Sequence, residues 1–230
     1  MPLHHDAASA PVLDRADSCC AGRGVFDVHP ARLHGADGES GLGLLLKPSA
    51  WIVRWSHLLE PGAAVLDVAC GSGRHLAWFT ESGHPVTGID RDIAQARQNS
   101  PTAELINSDI ESGPWPLEAQ GTMRTFGAVI VTNYLWRPLM DTVLASLAPG
   151  GVLLYETFAT GNARVGRPSR PDFLLQSGEL LAVCAALNVV AYEQGYLQDP
   201  PRFVQRIAAL RPLGGSVKLL ESSRCALWVK

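Results

Sequence analysis

Three acidic residues and one glycine turn carry most of the chemistry this sequence offers. The run Val65-Leu66-Asp67-Val68-Ala69-Cys70-Gly71-Ser72-Gly73-Arg74-His75 passes from apolar residues through two glycines into residues at helical spacing. Such a turn presents backbone N–H groups and a helix N-terminus to a ligand. Lacking a Cβ, Gly71 and Gly73 let the chain turn sharply and pass close beneath a nucleoside. Asp90 follows Asp67 by 23 positions and ends the run Val86-Thr87-Gly88-Ile89-Asp90. An acid near that offset is placed to bind ribose hydroxyls. Bonds of that kind are charge-assisted and contribute about 1.5–3 kcal/mol each. Asp109, in Asn107-Ser108-Asp109-Ile110, is able to accept from an adenine amino group, and Asn133-Tyr134-Leu135 closes a further apolar run. The glycines alone fit an ordinary strand–helix turn equally well. Four such segments meeting at one rim describe a nucleoside site.

Only a particular architecture brings those segments together. Trp51, Ile52, Trp55, Leu58 and Leu59 recur at helical spacing between Pro48 and Pro61-Gly62, which predicts a helix over 49–59. Residues 63–69 are apolar without alternation, the pattern of a strand buried on both faces of a parallel sheet. Strand patterns recur at 86–89, 103–106, 126–132 and 152–157, and helical ones follow Gly73 and cover 93–98 and 139–147, with Pro149-Gly150-Gly151 as a turn. After an irregular stretch over 161–171 comes a helix at 178–187. Strands at 189–196 and 203–210 follow, linked through Asp199-Pro200-Pro201 as an antiparallel hairpin. The prediction is an α/β fold: a Rossmann-like, doubly wound, mostly parallel seven-stranded sheet with a C-terminal antiparallel hairpin. Right-handed crossovers place the glycine- and acid-bearing strand ends along one rim. Residues 1–47 read as a flexible N-terminal segment, 48–213 as the catalytic domain, and 214–230 as a tail or an extra strand over 225–229.

Composition narrows the setting. The net charge of −3 leaves no basic field to collect phosphates, so no DNA partner is expected. Five cysteines, two of them adjacent, show no zinc-type spacing; no metal is expected, and free thiols in a reducing compartment are the natural reading. No stretch approaches the roughly 18 apolar residues of a membrane span, and Met1 to Ala10 lacks the pattern of a signal peptide. A cytoplasmic location and no membrane partner are the expectation.

The glycine pattern also separates two ligand classes. A dinucleotide fingerprint requires a third glycine three positions after the second, where this sequence has Leu76. Asp67, just ahead of the turn, suits a ligand bearing an ammonium group better than one bearing a pyrophosphate. With these features the sequence resembles the class I S-adenosylmethionine-dependent methyltransferases. Val65 to Gly73 matches their first motif, Asp90 the second, Asn107 to Ile110 the third and Asn133 to Leu135 the fourth, while Ala148-Pro149-Gly150-Gly151 resembles the turn before their fifth strand. Cys70-Gly71-Ser72-Gly73-Arg74-His75 and Phe173-Leu174-Leu175-Gln176-Ser177-Gly178-Glu179-Leu180 are most similar to small bacterial methyltransferases of the tellurite-resistance type. The resemblance implies S-adenosyl-L-methionine as cofactor. It implies Asp67, Gly71 and Gly73 at the methionine end, Asp90 at the ribose and Asp109 with Ile110 at the adenine. Ala69, Arg91 and Asn133 are further cofactor contacts.

Methyl transfer from a sulfonium requires neither a protein nucleophile nor a metal; alignment and water exclusion suffice. Tyr134 and Asn133 are the candidate catalytic residues, since they follow the fourth strand, with Trp136 and Arg137 as acceptor contacts beside them. Plain packing under a loop explains Tyr134 and Trp136 equally well. Arg164, Arg167 and Arg170 lie in an irregular loop that would close as a lid, Arg167 being the chosen substrate contact, unless the loop is simply a solvated basic one. Glu156 is a possible base or cation contact, or the structural partner of one of those arginines. His75 more often packs or caps than catalyses, His57 has no assigned role, and Trp51 and Trp55 are possible pocket walls. Asn133-Tyr134-Leu135-Trp136 lacks the proline pair of nucleic-acid amino-methylating enzymes. The expected acceptor is a small molecule, with a protein or RNA acceptor, or a non-catalytic cofactor-binding module, as alternatives. The oligomeric expectation is a monomer or homodimer.

Overall fold

The computed structural model describes residues 47–214. Apolar runs without alternation do form strands buried on both faces. β1 (Val65–Val68), β2 (Val86–Asp90) and β6 (Phe126–Thr132) lie in the middle of a seven-stranded sheet. With β3 (Glu104–Asn107), β7 (Leu147–Phe158), β8 (Asn188–Gln198) and β9 (Pro201–Leu210), the strand order is β3-β2-β1-β6-β7-β9-β8. The pairs from β3 to β7 are parallel; β9 runs antiparallel to β7, and β8 antiparallel to β9. The chain runs outward from β1 to β3 and then returns to the other side of β1 with β6. That reversal between β1 and β6 is the switch point where doubly wound sheets bind ligands.

Two apolar layers seal the sheet. On one face, Trp51, Ile52 and Trp55 of α1 (Ala50–Trp55), Leu76 and Phe79 of α2 (Arg74–Glu81), and Ala96 of α3 (Ala94–Asn99) pack against Val65, Ile130 and Leu154. On the other, Met140 and Val143 of α4 (Met140–Ala145) and Leu180 of α5 (Glu179–Val183) pack against Leu66, Val129 and Leu153. Ser49 caps α1, its hydroxyl accepting from the Trp51 N–H at 3.2 Å.

Helix α2 approaches β2 closely. A Cβ on Gly88 would stand 2.6 Å from Leu76 Cδ1 and 2.9 Å from Cys70 Sγ. The close helix–strand contact that a third glycine on the helix permits in dinucleotide folds is here made by a glycine on the strand.

Several expectations need correction. The predicted turn at Pro149-Gly150-Gly151 is part of β7 and forms a bulge where the register with β6 shifts. Gly150 sits there at φ +78, its N–H donating to the Arg211 carbonyl while the Arg211 N–H donates to the Gly151 carbonyl, so backbone bonding continues past the bulge. The helices at 139–147 and 178–187 are shorter than their patterns suggest. A short hairpin, β4 (Glu118–Ala119) with β5 (Thr122–Met123), was not anticipated. Trp51 and Trp55 are core residues rather than pocket walls, 1% and 3% exposed, because α1 lays them against the sheet in the same cluster as Val65, Ile130 and Leu154. No helix of the described residues is long and apolar enough to cross a membrane. The readings for residues 1–46 and 215–230, including the strand at 225–229, lie outside the described residues.

Candidate active site

The site is assembled from backbone that turns at the same level on neighbouring strands. Ala69, one residue beyond β1, and Asn133, one beyond β6, are both left-handed at φ +55. For non-glycine residues this is uncommon, and such strain gathers at functional sites. Gly71 (φ +54) and Gly73 (φ +77) continue the turn into α2. A Cβ at Gly71 would meet nothing within 4 Å, so its face is open. From the far side, Asn99 Nδ2 donates to the Ser72 carbonyl at 2.8 Å and Ser100 Oγ to that of Gly73 at 3.3 Å, bracing the loop against the end of α3.

The acids stand where the sequence places them. Asp90, at the end of β2, accepts from the Gly71 N–H at 2.8 Å and from the Asp92 N–H at 3.0 Å, tying two strand ends into one rim. Asp67 lies beneath the turn, 1% exposed, with no hydrogen-bond partner on either carboxylate oxygen. A buried carboxylate left in that state is costly, and a donor or cation brought against it would relieve the cost. His75 Nδ1 is 3.7 Å from Asp67 Oδ2. Burial first, then the charges of Asp67 and Asp90, push the Cys70 thiol upward, so it stays protonated and is no nucleophile.

Beyond the end of β3, Asp109 is exposed and closes its own turn, accepting from Ser112 Oγ at 2.8 Å and the Glu111 N–H at 3.0 Å. The Ser112 bond is the main cause of its lowered pKa. Ile110 is buried, and Arg91 is exposed while its carbonyl accepts from Asn107 Nδ2 at 2.7 Å.

At the end of β6, Asn133 exposes its side chain and donates its N–H to the Glu156 carbonyl at 2.9 Å. The Tyr134 hydroxyl is buried without a hydrogen bond. Burial, then the nearby charge of Glu111, raises its pKa, so it stays a phenol at neutral pH. Trp136 is half-buried against the core.

Three proposed substrate contacts fare differently. Glu156, fully buried, uses both oxygens. Oε1 accepts from Ser49 Oγ at 3.0 Å and Arg202 Nη2 at 3.1 Å, and Oε2 pairs with Arg206 Nη1 at 3.4 Å. It is therefore no free base or cation contact, and its partners are not the loop arginines. Register explains this: β9 returns antiparallel and sets Arg206 directly opposite Glu156. Arg137 likewise has its guanidinium engaged. It forks onto Glu179 at 2.7 and 2.9 Å and reaches the carbonyls of Asp172 and Leu174 at 2.7 and 3.0 Å, so in this structure it clamps a loop. Arg164, Arg167 and Arg170 remain exposed. Their loop is pinned by Asn162, which bonds the Pro168 carbonyl and the Phe203 N–H, and by Thr160, which bonds Leu175.

Sequence reasoning missed Ser49, Arg202 and Arg206. Arg202 and Arg206 stand four apart on one strand, which puts both on the same face, and that spacing was a readable signal. Arg74 was read only as part of a motif. It is half-buried; burial lowers its pKa while the fields of Asp67 and Glu156 oppose that shift.

Together, an open glycine turn, a rim carboxylate already anchored to it and an unpartnered buried carboxylate fit a nucleoside carrying a cationic amino-acid tail. Residues 65–151 match the family model described as a methyltransferase domain. Malonyl-[acyl-carrier protein] O-methyltransferase of Serratia marcescens is 32% identical over 110 residues, covering 45% of this chain and 41% of that one. Phthiotriol/phenolphthiotriol dimycocerosates methyltransferase 1 of Mycobacterium ulcerans (strain Agy99) is 30% identical over 114 residues, covering 46% and 42%. The chain thus spans about two fifths of the length of these curated relatives. TehB from Haemophilus influenzae shares the fold at a TM-score of 0.56 and 18% identity, over 70% of this chain and 61% of that one. The chain thus matches a methyltransferase domain over residues 65–151 and shares the fold of TehB.

Proposed function

We propose that this chain transfers a methyl group from S-adenosyl-L-methionine to a small-molecule acceptor. The observation that carries the reading is the pairing of Asp90 with the Gly71 N–H beside the unpartnered Asp67. One carboxylate is presented to a diol and the other to an ammonium. When bound, the cofactor supplies an electrophilic methyl on a sulfonium: the acceptor atom bonds the methyl carbon as the carbon–sulfur bond breaks, and its electron pair stays on sulfur.

The remaining work falls to this chain's own residues. Asp90 with Arg91 borders the ribose, Asp109 with Ile110 the adenine, and Ala69, Gly71 and Gly73 the amino-acid tail. Asn133 stands at the rim between cofactor and acceptor, and Tyr134 and Trp136 border the acceptor. Neither Tyr134 nor Cys70 is a ready base near neutral pH, since both hold their protons. Rate enhancement then comes from alignment and exclusion of water. A base matters only for an acceptor that is protonated near neutral pH.

The small-molecule assignment draws support from the absence of a basic field, from the missing proline pair after Asn133, and from a relative named for dimycocerosates; another is named for malonyl-[acyl-carrier protein]. The test is calorimetric titration with S-adenosylmethionine and S-adenosylhomocysteine, followed by incubation of labelled cofactor with cell extract. Micromolar binding and label that passes a small-pore filter support the reading. Retained label moves the acceptor to protein or RNA, binding without turnover leaves a cofactor-binding module, and no binding of either ligand to folded protein refutes the cofactor.

A further inference from the structure

The buried imidazole of His75 takes no part in the reaction as described, yet its two nitrogens join the site to helix α1. Nε2 accepts the Ser49 N–H at 3.1 Å, and Nδ1 faces Asp67 Oδ2 at 3.7 Å. The ring is 1% exposed. A nitrogen that accepts carries no proton, so the proton of the neutral ring sits on Nδ1 and points toward Asp67. The Ser49 N–H on Nε2 thereby selects one tautomer of the ring.

We infer that His75 is a positioning residue for Asp67, and that through it the docking of α1 is coupled to the site's affinity for the ligand's ammonium group. The inference rests on the proposed cofactor. At 3.7 Å the N–H acts on the carboxylate as a fixed dipole in a dry environment, and neither Asp67 oxygen has a hydrogen bond of its own. Arg74 also feels Asp67, but among the described residues its guanidinium bonds the Lys47 carbonyl, at 3.5 Å. Ser49 is the joint. Its N–H holds His75, its hydroxyl caps α1 through Trp51, and the same hydroxyl donates to Glu156 at 3.0 Å. Binding that favours the His75–Asp67 arrangement therefore favours docked α1, and by linkage the reverse holds.

The test compares two nucleosides on the full chain: S-adenosylhomocysteine, which carries the ammonium, and 5′-methylthioadenosine, which lacks the amino-acid tail. His75→Phe removes the dipole. It should weaken S-adenosylhomocysteine about tenfold, equivalent to about 1.4 kcal/mol, and leave 5′-methylthioadenosine unchanged. His75→Asn keeps a donor where Nδ1 stood and loses the acceptor for Ser49. It should retain the preference between the nucleosides and melt at a lower temperature. Ser49→Ala keeps its backbone N–H on His75, so the preference should also survive while stability falls. Amide exchange over residues 49–55 should slow on adding S-adenosylhomocysteine to the wild type and not to His75→Phe. Equal weakening of both nucleosides by His75→Phe, or loss of the preference in His75→Asn, overturns the inference. If His75→Phe does not fold, His75→Asn decides by the same criterion. Failure of the wild type to bind either nucleoside removes the cofactor reading itself and this inference with it, an outcome distinct from unchanged preference in a protein that binds both.

Discussion

Replacing Asp90 with alanine should separate ligand affinity from stability. In the free protein the carboxylate accepts two backbone N–H groups, from Gly71 at 2.8 Å and Asp92 at 3.0 Å. Both donors belong to exposed residues, so water replaces the carboxylate and the loss in stability is about 1 kcal/mol. For a domain of this size that lowers the melting temperature by roughly 2–4 °C. Each oxygen has a second lone pair, available to a ribose diol. Two charge-assisted bonds at the lower end of about 1.5–3 kcal/mol each sum to about 3 kcal/mol. At about 1.4 kcal/mol per decade that is roughly a hundredfold loss in affinity. Asp90→Asn, keeping one acceptor oxygen, should lose roughly tenfold by the same arithmetic. Calorimetric titration with S-adenosylhomocysteine reads the affinity and a thermal melt reads the fold. A change in Kd below about threefold in a well-folded Asp90→Ala protein would refute the argument, because the rim carboxylate would then not touch the ligand.

Other perturbations test separate parts of the structure. Glu156→Ala leaves Arg202 and Arg206 without their shared buried carboxylate, and a broken buried pair costs about 3–5 kcal/mol; thermal unfolding should show a drop of roughly 10 °C, and an unchanged melt would mean the network contributes nothing. Tyr134→Phe should leave turnover within about twofold, since the hydroxyl makes no hydrogen bond; a large loss of kcat at constant KM would restore it to the mechanism. Glu179 supplies a pH test. Burial pulls its pKa up, but hydrogen bonds from Arg137 and the Gln176 N–H outweigh this, and the folded pKa is lowered. The stability it adds is therefore present above the unfolded carboxylate value of about 4.3 and disappears as pH falls through the lower folded value. Urea midpoints of wild type and Glu179→Gln should converge below that range; a constant gap down to about pH 3 would contradict the sign.

Most of the candidate site's backbone was legible in one dimension because its parts are local. A run such as Val65 to Val68, apolar without alternation, has only a doubly covered sheet in which to bury itself, and all four residues are buried. Gly71 and Gly73 adopt positive φ that few other residues tolerate. Once parallel strands are inferred, chain direction alone sends Asp67, Asp90, Asp109 and Asn133 toward the same rim, with no knowledge of contacts. The same reasoning found β8 and β9 as a hairpin, since Asp199-Pro200-Pro201 ends one strand and begins the next.

The sequence could not settle which charged side chains work on a ligand and which hold the protein together. Glu156, Arg137 and the loop arginines have the residue types of a substrate site, and type does not reveal partner. Glu156 meets Arg202 and Arg206 across 46 and 50 residues, Arg137 meets Glu179 across 42, and His75 meets Ser49 across 26. Each pairing depends on strand register or helix docking, and a one-residue slip would turn every side chain of a strand to its other face. The sequence by itself determined the sheet, the glycine turn and the acids on its rim, because burial and backbone conformation are imposed residue by residue. Only the tertiary structure decided that Glu156 and Arg137 are already satisfied while Asp67 is not, because a charge is free or engaged only relative to the groups the fold packs around it.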